Sequence, residues 1–195
     1  MHCGGTKRVA AICAGDRVMT PSGRYARCYE DQVVVACGHV MCVCLARPAK
    51  VVCVLKTYCS GGMAELVELE GGLLVTPWHP IWFEGPHVGS KQTSAGWTFP
   101  CQVPGATTEF RACEAVYSFA VMQLSDQNQG QQPRELSVDG ARAGVMMING
   151  VRCVTLGHGI SDGVARHPYF GTEAVIHDLE ATWGWRAGEC DNRPG

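Results

Sequence analysis

A mainly β fold of short strands and hairpins, with one short helix near the C-terminus, is what this sequence predicts, and three observations carry it. Glycines (24) and prolines (10) punctuate the 195 residues and separate short runs of Val, Leu, Ile and Met. Several of those runs flank residue pairs suited to tight turns. Helical periodicity is confined to one stretch, GTEAVIHDLEATW, close to the C-terminus.

Taken along the chain, DRVMTPSGRYARC offers a hairpin turning at Pro21-Ser22-Gly23. In AELVELEGGLLVT two apolar runs flank Gly71-Gly72, a pair able to take the positive φ values of a two-residue turn. VMMINGVRCVTL does the same at Asn149-Gly150, the strongest short-range hairpin signal in the chain. In the C-terminal stretch Val175, Ile176 and Leu179 fall on one side of a helix, with Thr172 as its expected N-cap. Two segments break the rhythm. Residues 125–144 are polar and Gln-rich and read as a long exposed loop between strands. Residues 28–50 carry Cys37, His39, Cys42 and Cys44, residue types that suit zinc or copper(I). Their spacing matches no standard zinc pattern, so buried core thiols compete with a metal site for this cluster.

Composition narrows the function. A chain 46% apolar and 17% charged can bury a real core and fits one domain, here residues 1–185 with a tail at 186–195. A net charge of -2 with scattered Lys and Arg provides no basic stripe, which argues against nucleic acid or an anionic membrane as partner. The longest apolar stretch, residues 33–46, is interrupted by Gly38 and His39 and is too short to cross a bilayer. The 12 cysteines are irregularly spaced and no signal peptide opens the sequence, so thiols and a cytoplasmic setting are expected over a disulfide framework.

Candidate chemistry centres on GGLLVTPWHPIWF, which sets the Thr76 hydroxyl and the His79 imidazole three positions apart at the end of a strand run. Pro77 and Pro80 stiffen the turn that presents them. Read as residues alone, the pair is equally a turn threonine and a satisfied core histidine. Asp16 reads as a turn residue at the start of a strand.

GGTKRVAAICAGDRVMTPSG, VVCVLKT, ELVELEGGLLVTPWHPI, WTFP, AVYSF, MINGVRCVTLGHGI and HPYFGTEAVIHDLE, in that order, resemble the blocks of a Hint domain, the autoprocessing module of inteins and of the hedgehog C-terminal part. The resemblance covers residues 4–185 and is closest to the Vint variety, which occurs with von Willebrand A domains. It implies a horseshoe of short strands and self-cleavage: a cysteine thiol attacks the preceding carbonyl, an N-to-S acyl shift makes a thioester, and a second nucleophile takes the acyl group. Thr76 and His79 match the family's T-x-x-H motif, the histidine as proton donor to the leaving amine and the threonine as positioner. Cys153 falls near a cysteine that assists processing in hedgehog proteins, against the plainer reading of a buried strand thiol. His158 and His167 sit within the Vint-like blocks without an assigned role.

The resemblance also shows departures. The family's nucleophile precedes a short first strand, which is expected to be missing here; Cys3 lies too close to Gly4-Gly5 for that role. Cys13 mimics the opening of an intein and is a weak nucleophile candidate. Residues 28–50 read as an atypical insert or as translated intron. The resemblance implies no cofactor, the chain itself as substrate, and a von Willebrand A domain in a longer parent chain. Two other classes remain open, a non-catalytic interaction module on the same scaffold and a small Cys/His metal-binding protein.

Overall fold

The structure, a computed structural model, describes residues 7–21, 35–36, 39–40, 46–85, 95–123, 144–182 and 185–192; of residues 35–36, 39–40, 46–48, 186 and 191–192 it describes the backbone alone. The strands are β1 (Arg17–Pro21), β2 (Val35–Ala36), β3 (His39–Val40), β4 (Ala46–Tyr58), β5 (Met63–Leu69), β6 (Leu73–Val75) and β7 (Ile81–Phe83). They continue with β8 (Gly96–Thr98), β9 (Thr108–Ala112), β10 (Ala115–Gln123), β11 (Val145–Ile148), β12 (Val151–Val154), β13 (Trp185–Arg186) and β14 (Glu189–Asn192). The helix α1 (Ala174–Glu180) lies between β12 and β13. The fold is mainly β, built of several sheets, with its helix near the C-terminus, as the sequence predicts.

The first sheet is organised around β4. Along one edge β4 takes β10, antiparallel. Along the other it takes β1, antiparallel over Ala46 to Lys50, and then β14, parallel over Val54 to Thr57. The second sheet has the order β6-β5-β9, and the third β11-β12-β7-β8. β2 and β3 pair with each other.

β4 reads VVCVL at its centre, the near-continuous apolar run of a strand covered on both faces. The register of β10 on β4 skips Val52, since Ala120 faces Cys53 and Val121 faces Val51. That bulge reverses the side-chain alternation. Ala49 and Val51 before it, and Val54 after it, share one core with Ile12, Phe119, Val121 and Met146. Cys53 joins the opposite face with Ala120, Leu156, Val175 and Ile176. α1 covers that second face, and burial of Val175 and Ile176 stabilises its docking by about 1.5–3 kcal/mol for each side chain.

The hairpins at Gly71-Gly72 and Asn149-Gly150 form where the sequence places them, with one difference of detail in the first and another at the start of the helix. Asn149 and Gly150 take φ of 47° and 80° between the paired Ile148 and Val151, a two-residue turn of the kind the Asn-Gly pair favours. Between β5 and β6 the paired residues are Leu69 and Leu73, so the loop has Glu70 as well as Gly71 and Gly72; the two positive φ values do not require a two-residue loop. Thr172 does not cap α1: its hydroxyl donates to the Tyr169 carbonyl at 2.8 Å, and Glu173 occupies the N-cap position without a side-chain bond. The turn one residue upstream captures the hydroxyl. Pro21 ends β1, whereas Ser22 and Gly23, residues 124–143, and Cys37, Cys42 and Cys44 lie outside the described residues, and of His39 only the backbone is described. Residues 46–50, set apart in the sequence with the atypical segment, are the opening of β4.

Residues 186–192, expected as a tail, form most of the β13–β14 hairpin. Ala187 and Gly188 carry its turn at φ of 50° and 91°. Gly188 also approaches β4 closely: a Cβ there would stand 2.6 Å from the Val52 carbonyl oxygen and 2.7 Å from Ala14 Cβ. Gly188→Ala is expected to destabilise the chain by at least about 2 kcal/mol, through backbone strain and that clash together, as measured by urea unfolding.

Candidate active site

Residues 76–79 form the passage from the second sheet to the third. β6 ends at Val75, the His79 amide bonds back to the Thr76 carbonyl at 3.2 Å, and β7 starts at Ile81. Two hydrogen bonds fasten this turn to the end of β12. The Val154 amide donates to the Pro80 carbonyl at 3.2 Å, extending the Cys153–Ile81 register. His79 Nε2 lies 3.1 Å from the Val154 carbonyl oxygen. On the other side the Cys101 amide reaches the Pro77 carbonyl at 3.3 Å, and Phe99 packs edge-on against Trp78, ring centroids 5.3 Å apart.

A carbonyl oxygen only accepts, so the bond to Val154 fixes the hydrogen of neutral His79 on Nε2 and leaves the lone pair on Nδ1. Burial lowers the His79 pKa below its ordinary value, with the Val154 carbonyl opposing that shift. The imidazole is therefore neutral at rest, and once protonated it is a stronger acid than a free histidine. No described residue hydrogen-bonds the Thr76 hydroxyl, which is half-buried beside it.

The structure brings Cys153 next to this bond in sequence but not in chemistry. Its side chain is 2% exposed in the third core, with Val67, Leu69, Leu73 and Ile81. Burial pushes its thiol up to about 12. Cys13 is exposed, and its hydrogen bonds are local: its thiol to the Ala11 carbonyl, its amide to Asp16 Oδ2 at 2.9 Å, its carbonyl from the Asp16 amide. None of them reaches residues 76–79. Asp16 is held below the usual carboxylate range by Lys7 and then by the Cys13 amide, which suits a turn-fastening residue.

His158 and His167, without a role in the sequence, share one device. His158 Nδ1 accepts the Ile160 amide at 2.9 Å, and His167 Nδ1 accepts the amides of Tyr169 and Phe170 at 3.1 and 2.9 Å. Each ring closes the turn that follows it. His158 is buried, and its pKa is lowered by burial first and then by His167 and His79. The closeness of His158 and His79, and the support of Pro77 by Cys101, were not legible in the motif. The first depends on how β12 pairs with β7 and the second on how β8 pairs with β7, which local spacing does not encode. Among the described residues no group of three or more His, Cys, Asp or Glu side chains is arranged to hold a metal ion.

His79 and His158 both have lowered pKa values in the folded state, so the unfolded chain binds more protons below about pH 6.5. Their contribution is complete above that pH and is lost as the pH falls through it. Stability measured by urea unfolding is expected to decline from pH 7 to pH 5, by at most about 1.4 kcal/mol per pH unit for each histidine, and the slope to flatten in His79→Gln.

A family model described as Hint-domain, the Vint family, matches residues 32–193. The block at residues 4–23 that contributes to the resemblance lies outside that match. None of the curated proteins matches the chain. With most of its length matched by the one family model, this chain belongs to the Vint family of Hint domains.

Proposed function

We propose that this domain performs Hint-type autoprocessing, cleaving the peptide bond ahead of a cysteine through an N-to-S acyl shift, with His79 as the proton carrier and Thr76 as the positioner. The observation that carries this reading is the His79–Val154 hydrogen bond. It holds the ring by one nitrogen and leaves the other with a lone pair. In the reaction the thiol sulfur bonds to the carbonyl carbon, the C–N bond breaks, and the leaving nitrogen takes a proton. An amide nitrogen is a poor leaving group until protonated. Nδ1 of His79 takes up the proton that the thiol gives up and passes it to that nitrogen, which the lowered pKa favours. The Thr76 hydroxyl, which has no hydrogen-bond partner among the described residues, holds the scissile peptide. The substrate in this reading is the chain itself, and a von Willebrand A domain is a partner in a longer parent chain. The domain spans residues 1–185 on this reading, with the following hairpin completing the first sheet.

The nucleophile is the weaker half of the reading. Cys13 is the exposed thiol among the described residues, and it serves as nucleophile only by leaving its local hydrogen bonds. That observation favours a second reading, in which the scaffold persists as an interaction module without chemistry.

One experiment separates the two. The chain is fused behind a soluble tag, incubated at neutral pH with and without a small thiol, and followed by intact mass. Autoprocessing predicts thiol-dependent release of the tag, slowed by about 10²–10⁴-fold in His79→Gln, whose amide still donates to Val154. An unchanged mass in both conditions, from a folded protein, would leave the interaction module.

A further inference from the structure

The cysteines among the described residues are all thiols, and two pairs of them interact. Cys53 and Cys190 are 0% and 5% exposed beneath α1. Burial first, then Cys190 and Glu180, pushes the Cys53 thiol up to about 12. Disulfide exchange needs a thiolate that an oxidant can touch, whereas both sulfurs are buried here and burial holds Cys53 as the thiol.

Cys59 and Cys113 are placed differently. β4 ends at Tyr58, which pairs with Ala115, the first residue of β10. β5 begins at Met63, which pairs with Ala112, the last residue of β9. Between these two ladders the chain turns a corner from the first sheet to the second. The Cys59 amide donates to the Glu114 carbonyl at 2.9 Å, and the Cys113 amide to the Gly62 carbonyl at 2.8 Å. These bonds set Cys59 opposite Glu114, the neighbour of Cys113, and the two thiols share a side-chain hydrogen bond. In an unbroken ladder, side chains one step apart point to opposite faces. Here the 3-10 turn Ser60–Gly62, with Gly61 and Gly62 at φ of 62° and 67°, breaks the pleat. The two thiols interact, and both are half-buried, so a small oxidant can reach them.

We propose that Cys59 and Cys113 form a disulfide when the protein meets a small-molecule disulfide such as glutathione disulfide, locking the corner between the first and second sheets. The thiolate of one cysteine attacks glutathione disulfide, releasing one glutathione and forming a mixed disulfide. The other cysteine then displaces the second glutathione. Two protein thiols are oxidised to one S–S bond, and the two electrons and two protons leave on two glutathione molecules. Burial first, and then Cys59, raises the Cys113 pKa, so the exchange accelerates as the pH rises. The loop it closes contains β5 to β9 and the turn at residues 76–79. Since backbone hydrogen bonds already join its ends, closure chiefly restricts the unfolded chain.

The test is to incubate the full chain with glutathione disulfide, alkylate the remaining thiols, digest it, and map cross-linked peptides by mass spectrometry, with the melting temperature measured before and after. The expected result is a loss of about 2 Da in a Cys59–Cys113 linked peptide. A melting temperature raised by about 5 °C or more should accompany it, with both changes reversed by dithiothreitol. Cys59→Ser and Cys113→Ser, each at a half-buried site, should abolish both. Unlinked Cys59 and Cys113 peptides, a bridge between other cysteines, a persistent glutathione adduct, or a linked protein that melts no higher would overturn the proposal.

Discussion

The constraint on which the rest of this fold depends is that the centre of β4 is packed on both faces and the strand is bonded along both edges. A strand in that position has no water to satisfy its amides and carbonyls, so every change of neighbour along an edge must be bridged. Such a change occurs where β1 gives way to β14. Gly15 donates to the Val51 carbonyl, Val51 to the Asp16 carbonyl, and Val54 to the Gly188 carbonyl, so bonds flank the junction on either side. The bulge at Val52 stands at the same place. A Cβ at residue 188 would stand 2.6 Å from the Val52 carbonyl oxygen and 2.7 Å from Ala14 Cβ, which explains why the hairpin turn there needs a residue without a Cβ. The last described strand is thus tied to the middle of β4 by a close contact.

From this spine the chain leaves and returns. β4 and β10 run together into the corner at Cys59 and Cys113, and beyond it β5 and β9 carry on as the second sheet. The turn at residues 76–79 is the next crossing, from the second sheet to the third. Crossings of this kind expose backbone groups that neither sheet satisfies, and side chains or neighbouring turns must supply the partners. His79 supplies one to Val154, and the Cys101 amide supplies another to Pro77. An imidazole is well suited to such a place because one nitrogen can serve the backbone while the other keeps its proton chemistry.

Much of the fold was legible because it rests on local chemistry. Asn149-Gly150 specifies its turn by φ alone, and VVCVL announces a strand covered on both faces. The differences arise where tertiary partners decide. Thr172 has the right character for a cap, but its hydroxyl donates to the Tyr169 carbonyl instead. Residues 186–192 carry two polar or charged residues for each apolar one and look like a tail, yet pairing with β4 makes them strands. For the candidate site, the motif pointed to Thr76 and His79, and the residue types pointed to acid–base work. The nitrogen left available and the burial of Cys153 could come only from the packing of β12 against β7.

The same packing decides which half of the proposed reaction is provided for. A proton carrier benefits from burial, because a lowered pKa keeps histidine neutral at rest and makes its conjugate acid strong. A thiol nucleophile suffers from it, because burial disfavours the thiolate that must attack. Cys153 immediately precedes Val154 in sequence, but its side chain lies in the third core, where burial holds the thiol near 12. A nucleophile for this histidine must therefore arrive from outside the core, on a segment whose thiol meets solvent. Cys13 has that exposure and lacks the contact. In the proposed reaction the rate of the acyl shift would then depend on how readily such a thiol reaches Nδ1 of His79, the nitrogen that the bond to Val154 leaves with a lone pair.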